Sequence, residues 1–222
     1  MHKLIATMVF LVAGITVTAQ KGLFINPYFG AGITGVYDFR VLQHQTLRKE
    51  TATTFGISAG YAFTHFRFSA GIAVLNNGFG INGLITEHYI DAVTGETVKA
   101  GDTVNTTYTF TYIALPVTVG YTINPGGKVS VIPEISLSHA YNITYIYEMD
   151  YATGVKRRNN YTATSGEKFT NFAMVSVNIG FKISKKMYLT LGPSYTRLIN
   201  ELLDSQAKLT TLTANAGVLL KL

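Results

Sequence analysis

The chain has 222 residues, enough for one domain, and only 14% of them are Asp, Glu, Lys or Arg, against about 25% in typical soluble domains. It carries 14 Tyr, 13 Phe and 21 Gly, a net charge of +6 and no Cys, which excludes a disulfide framework and thiolate metal sites. The positive clusters Lys156-Arg157-Arg158 and Lys185-Lys186 stand in no basic helix and no recognition motif, so nucleic acid is not expected as a partner.

In chain order, residues 1–19 read as a cleavable secretory signal peptide. His2 and Lys3 form a short positive start, Leu4 to Val17 carries no charge, and the small residues Val17 and Ala19 place cleavage between Ala19 and Gln20. The apolar stretch is shorter than the roughly 20 residues that a helical membrane span needs. No Cys follows, so this is not a lipoprotein signal. Residues 20–222 then form a single domain that has crossed the inner membrane.

Beyond Gln20 there is no apolar run long enough for a transmembrane helix. Apolar residues instead alternate with polar or small ones, the period of a strand between two environments. The alternation predicts eight strands, over 23–38, 51–63, 66–86, 106–123, 128–147, 169–183, 186–198 and 208–222. In the third, Phe66, Phe68, Ala70, Ile72 and Val74 keep one parity while Phe79 and Ile81 take the other. A bulge at Asn76-Asn77-Gly78 is expected to reset the register there.

Connections after the second, fourth and sixth strands are short, such as Thr64-His65, Asn124-Pro125-Gly126-Gly127 and Ser184-Lys185. Those after the odd strands are long and polar: Gln43 to Glu50, Asp91 to Asn105, Asp150 to Lys168 and Asn200 to Ala207. This rhythm fits an all-β, eight-stranded antiparallel up-and-down transmembrane β-barrel with short periplasmic turns and long outer loops. Closure satisfies every backbone hydrogen bond inside lipid. A soluble periplasmic ligand-binding barrel alternates in the same way with its apolar face inward. The charge-poor apolar face, and a second face rich in Gly, Ser and Thr that suits a crowded narrow lumen, favour the membrane. Tyr37, Phe39, Tyr141, Tyr145 and Tyr147 near strand ends are expected to form an interfacial girdle.

Few residues invite chemistry. Arg67, Glu134 and Lys182 fall on the interior parity, and a charge in a dry lumen must be paired. They are expected to form a polar network, with Glu134 as acceptor, that plugs the barrel and fixes its register. His44, His65, His88 and His139 have no metal-ligand spacing. Ser138 and His139 are neighbours on opposite faces and cannot form a dyad with each other. No catalytic residue, cofactor or metal is expected.

Tyr112-Ile113-Ala114-Leu115-Pro116-Val117 resembles the Tyr-Ile-x-Ile-Pro-Leu segment of the PorT-like outer-membrane β-barrel family, and Phe29-Gly30-Ala31-Gly32 and the Gly-rich stretch Gly56 to Tyr61 are similar to it as well. The resemblance covers the chain after the signal and implies a Gram-negative outer-membrane barrel. It departs from the family at Ala114, where an acid is frequent, and at Leu222, where many barrels carry an aromatic residue read by the assembly machinery. The expected partners are outer-membrane lipid, the barrel assembly machinery and an extracellular partner met through the 150–168 connection. The role expected is structural or interactive rather than enzymatic, the alternative being a narrow transport or secretion-accessory barrel.

Overall fold

The computed structural model describes residues 22–37, 44–85, 89–90, 97–151, 154, 156–161, 168–200 and 208–222. The signal peptide with its cleavage site, Phe39 and His88 lie outside the described residues. Among the described residues there is no helix. The strands are β1 (Leu23–Tyr37), β2 (Gln45–Ala62), β3 (Phe66–Leu84), β4 (Tyr89–Ile90), β5 (Thr97–Val98), β6 (Thr103–Tyr121), β7 (Val129–Tyr151), β8 (Lys156–Tyr161), β9 (Phe169–Lys182), β10 (Met187–Leu198) and β11 (Lys208–Lys221).

Eight long strands pair antiparallel in the order β1, β2, β3, β6, β7, β9, β10, β11, and β11 returns to β1, so the ring is closed. The register shows its stagger. Ile25 pairs with Ala59, Ala59 with Ala70, Ala70 with Val117 and Val117 with Leu137. Leu137 pairs with Ala173, Ala173 with Arg197, Arg197 with Thr210 and Thr210 with Gly35. A walk that leaves β1 at Ile25 therefore returns to it at Gly35. A stagger of this size in eight strands tilts each by about 40° from the barrel axis.

Alternation alone does not say which face is inside, but exposure does. Ile57, Ile72, Leu115, Ile135, Val175, Leu191 and Leu212 point outward and are exposed, whereas Ser58, Ser136, Ser176, Thr190, Ser194 and Thr213 are buried within. Phe55 is 65% and Ile135 64% exposed, which water would penalise and lipid would not. This is the inverse of a soluble ligand-binding barrel and speaks against that alternative. On β7 the outward row below the Tyr141 ring runs from Val129 to His139. Ten strand residues span about 33 Å, or about 25 Å along the axis at this tilt, the height of the apolar band of membrane barrels. Just above the band an outward polar row, Thr53, Asn76 and Thr111, crosses β2, β3 and β6. Asn76 Nδ2 donates to Thr53 Oγ1 at 3.2 Å and Thr111 Oγ1 to Asn76 Oδ1 at 2.9 Å.

Three local expectations are corrected. First, β3 has no bulge at Asn76-Asn77-Gly78: its register with β6 is unbroken from Ala73 to Leu84. The irregularity lies across the other edge, in β2 between Lys49 and Thr53. Phe79 and Ile81 merely continue the inward row, because the interior changes there from polar to aromatic. Secondly, β7 has a bulge that the sequence did not announce. Tyr112 pairs with Asn142 but Thr111 pairs with Thr144, which leaves Ile143 as the extra residue. Beyond it Tyr145 turns inward against the core and Tyr147 packs on Tyr108, so neither belongs to an outer girdle. Tyr141, before the bulge, does face outward and meets Phe169 edge-on at 5.2 Å. Thirdly, β2, β6 and β7 run further into the long connections than expected, and part of the 150–168 segment is strand β8, paired with the outer end of β7.

Candidate functional site

The interior is built in layers. At the short-turn end Phe24, Tyr188 and Leu219 form a small buried cluster. Above it stands the charged pair. Arg67 on β3 is in register with Gly120 on β6, which is in register with Glu134 on β7. The two long side chains reach each other across the intervening strand because that strand offers a glycine. A Cβ at Gly120 would lie 3.0 Å from both the Arg67 and the Glu134 Cγ atoms.

Arg67 Nε donates to Glu134 Oε1 at 2.8 Å, and Nη2 donates to the same oxygen. The other carboxylate oxygen accepts from Asn178 Nδ2 and, at 3.4 Å, from Ser176 Oγ. Only 6% and 10% of the Arg67 and Glu134 side chains are exposed. Four donors surround the carboxylate and its counter-charge is in contact, which is what a buried charged pair needs to offset its desolvation. Nearby, Tyr28 lies over Gly56, its hydroxyl 2.6 Å from where a Cβ would stand. Large residues over glycines on the next strand fill a lumen this narrow.

The structure does not bring Lys182 into this network. It is the last residue of β9, exposed at the mouth, and its Nζ donates to the Gly126 carbonyl of the β6–β7 turn at 3.2 Å. Its parity is inward, but at that depth a flexible ammonium reaches a turn carbonyl and water at no desolvation cost. Asn178 and Ser176 hold the positions around Glu134 that the sequence had assigned to Lys182. Their only signal was inward parity on β9, shared with many small polar residues.

On the opposite wall, hydroxyls pair across strands: Thr34 with Thr211 at 2.8 Å and Ser194 with Thr213 at 2.6 Å. Asn215 Nδ2 donates to Ser194 Oγ at 2.8 Å. Toward the outer end the interior becomes aromatic. Phe79 stacks on Tyr108 at 4.7 Å, Phe110 on Tyr145 at 5.0 Å, and Tyr112 meets Phe172 edge-on at 5.3 Å. Between charged pair and aromatic layer is a cavity of about 90 Å³ bordered by Tyr28, Thr118, Glu134 and Ser138. A second, of about 60 Å³, opens at the short-turn mouth beside Tyr188 and Lys221, and Arg67 borders both. These volumes suit a few waters rather than a passage.

His139 faces outward, stacked on Phe169 at 5.4 Å, with Nδ1 2.9 Å from Asn171 Oδ1. Ser138 lines the interior cavity. The wall of the barrel separates them. Among the described residues no group of three His, Asp or Glu side chains gathers in a metal-binding arrangement.

The two rims differ. At the outer end, β8 pairs its basic residues with the acids of β7: Lys156 Nζ lies 3.0 Å from Asp150 Oδ2, and Arg158 Nε lies 3.1 Å from Glu148 Oε1. All four side chains are well exposed, so each pair contributes little stability. At the short-turn end, His65 stacks on Tyr121 at 5.4 Å, Phe66 meets Tyr121 at 5.1 Å, and Phe63 contacts Tyr61 at 5.0 Å and Phe68 at 5.9 Å. This aromatic cluster lay hidden within the regular alternation of β2 and β3.

No protein-family model matches the sequence, and no curated protein does. Among solved structures the chain is similar to Neisserial surface protein A (NspA), with 13% identity and a TM-score of 0.49 over 90% of this chain and 99% of that one. It is also similar to Ail, the attachment invasion locus protein of Yersinia pestis, with 12% identity, a TM-score of 0.42 and coverage of 89% and 99%. The outer membrane protein OprG from Pseudomonas aeruginosa follows with 8% identity, a TM-score of 0.43 and coverage of 92% and 97%. At this level of likeness, the fold assignment stands on the closed ring and its outward apolar band.

Proposed function

We propose that this chain is an outer-membrane β-barrel with a structural or interaction role rather than an enzymatic one. One observation carries the reading: a closed ring with a polar, filled interior and an apolar exterior about as tall as a bilayer core. The short turns face the periplasm, and the extended sheet of β7 and β8 stands outside, where an extracellular partner would meet the 150–168 segment. A cleaved signal between Ala19 and Gln20 and a kinship with PorT-like barrels, suggested by Tyr112–Val117, belong to the same proposal.

The test is fractionation followed by electrophoresis with and without boiling. The protein should sit in the outer-membrane fraction, and the unboiled band should migrate differently from the boiled one. A detergent-independent protein in the periplasmic fraction would overturn the reading. The aromatic layer and the Arg67–Glu134 pair also speak against a transport role. Planar-bilayer recordings should show no steady conductance, and a reproducible open channel would restore transport as the better account.

A further inference from the structure

The acidic residues of the barrel are sorted by end. Among the described residues, Glu50, Asp102, Glu148 and Asp150 lie at the outer end and Glu134 in the interior, and no Asp or Glu lies at the short-turn end. That end carries Lys128, Lys182, Lys185, Lys186 and Lys221. They form one arc. The Lys182 amide donates to the Lys128 carbonyl at 2.9 Å, and the Lys221 amide donates to the Lys186 carbonyl at 2.8 Å. The arc therefore runs from the β6–β7 turn through the β9–β10 turn to the end of β11, with the Leu222 main chain beside it. Two of its members are held in place: Lys182 Nζ by the Gly126 carbonyl, and Lys221 Nζ 4.9 Å over the Tyr188 ring.

Lys185 and Lys186 stand in the β9–β10 turn at the edge of the outward apolar band, close to the exposed Phe181 and Ile183, while Lys128, Lys182 and Lys221 occupy inward-parity positions at the mouth, next in sequence to the exposed Val129, Phe181 and Leu220. The opposite half of the rim is different. It holds the aromatic cluster of Tyr61, Phe63, His65, Phe66 and Tyr121, and β3 stands across the ring from β10.

We infer that the lysine arc selects anionic phospholipid headgroups in the leaflet that faces the short turns, and does so on one side of the barrel only. The inference rests on the membrane reading above. Headgroup phosphates lie at the edge of the apolar band, and from the β9–β10 turn the stems of Lys185 and Lys186 can lie along that edge with their charges in the headgroup layer, while Lys128, Lys182 and Lys221 add positive potential from the mouth beside them. Each lysine near an anionic membrane surface contributes about a fivefold preference, reduced by salt.

The chain has no Trp, so an introduced one reports on its own surroundings. Ile183→Trp places a reporter on the arc, and Phe66→Trp places one on the aromatic side; both native residues are exposed. The refolded full-length barrel is reconstituted in mixtures of phosphatidylcholine and phosphatidylglycerol, one or the other brominated, and the quenching ratio gives the local preference for the anionic lipid. The preference should be at least fivefold at Ile183→Trp and close to one at Phe66→Trp. It should fall toward one with Lys185→Ala/Lys186→Ala or in high salt, and survive Lys185→Arg/Lys186→Arg. Unboiled migration checks that each variant is folded.

Equal preference at both positions, or a preference indifferent to the lysines, overturns the inference and leaves the membrane reading standing. Lysine-dependent co-sedimentation with purified peptidoglycan, without lipid preference, overturns it in favour of the cell wall. Absence of quenching by either lipid at both positions overturns the membrane reading itself, and this inference with it.

Discussion

Within the lumen, Glu134 is the residue on which most depends. It accepts from Arg67, Asn178 and Ser176, and Arg67 is almost fully buried. Glu134→Ala would strand the guanidinium in the wall of the barrel, a loss of about 3–5 kcal/mol for a buried charge left without its partner. The temperature at which the compact unboiled band converts to the unfolded one should drop. Glu134→Gln should drop it less, and Arg67→Leu/Glu134→Leu should recover part of the loss. An unchanged conversion temperature in Glu134→Ala would remove any structural role for the pair. Arg67 and Glu134 could be found in the sequence because a charge on an otherwise small, polar face stands out. Lys182 misled because parity gives direction but not depth, and depth decides whether a cation needs a carboxylate.

Strand β7 holds the feature least visible beforehand. Ile143 is one residue in excess, and it reverses the parity by which every later residue of β7 faces in or out. Deleting it would make Asn142 and Thr144 neighbours on opposite faces, in regular register with Tyr112 and Thr111, and would leave Tyr145 and Tyr147 turned inward. Phe110 and Tyr108 would keep their stacking partners, and β8 would meet the same face. The deletion should therefore keep the heat-modifiable form, as should Ile143→Thr at an exposed position. A deletion variant that no longer folds would show that the local bend made by the bulge is itself required. The bulge escaped notice because Asn142-Ile143-Thr144 breaks no alternation strongly enough. The one expected in β3 arose from treating a change in the interior, from hydroxyls to aromatic rings, as a change in register. The strands themselves were legible because each must cross the same apolar band.

Taken whole, the molecule has two unlike ends, and its orientation can be read by proteolysis. Trypsin added to intact cells should cut near Lys156-Arg157-Arg158, which stand on the exposed outer hairpin. It should spare Lys185-Lys186 until the outer membrane is permeabilised. Early cleavage at Lys185-Lys186 alone would invert the topology. The number of crossings followed from the rhythm of long and short connections. Inside and outside did not, since an alternating strand looks the same either way. Only the closed register, with its small hydroxyl residues turned inward, resolves that symmetry.

The seam between β1 and β11 joins the first and last strands of the ring, with Phe24 beside Lys221 and Tyr37 beside Lys208. Every other seam joins long strands that follow one another along the chain, so this is the one whose first edge, β1, has to wait through the whole chain until the final strand is synthesised and delivered. In the interval the sheet has two bare edges, which lipid cannot satisfy and which invite pairing with another chain. Joining distant ends adds only a slowly growing entropic cost. The hazard is therefore one of timing: the nascent sheet needs shelter for as long as β11 is missing, and a chain that stops before Lys208 never outgrows that need.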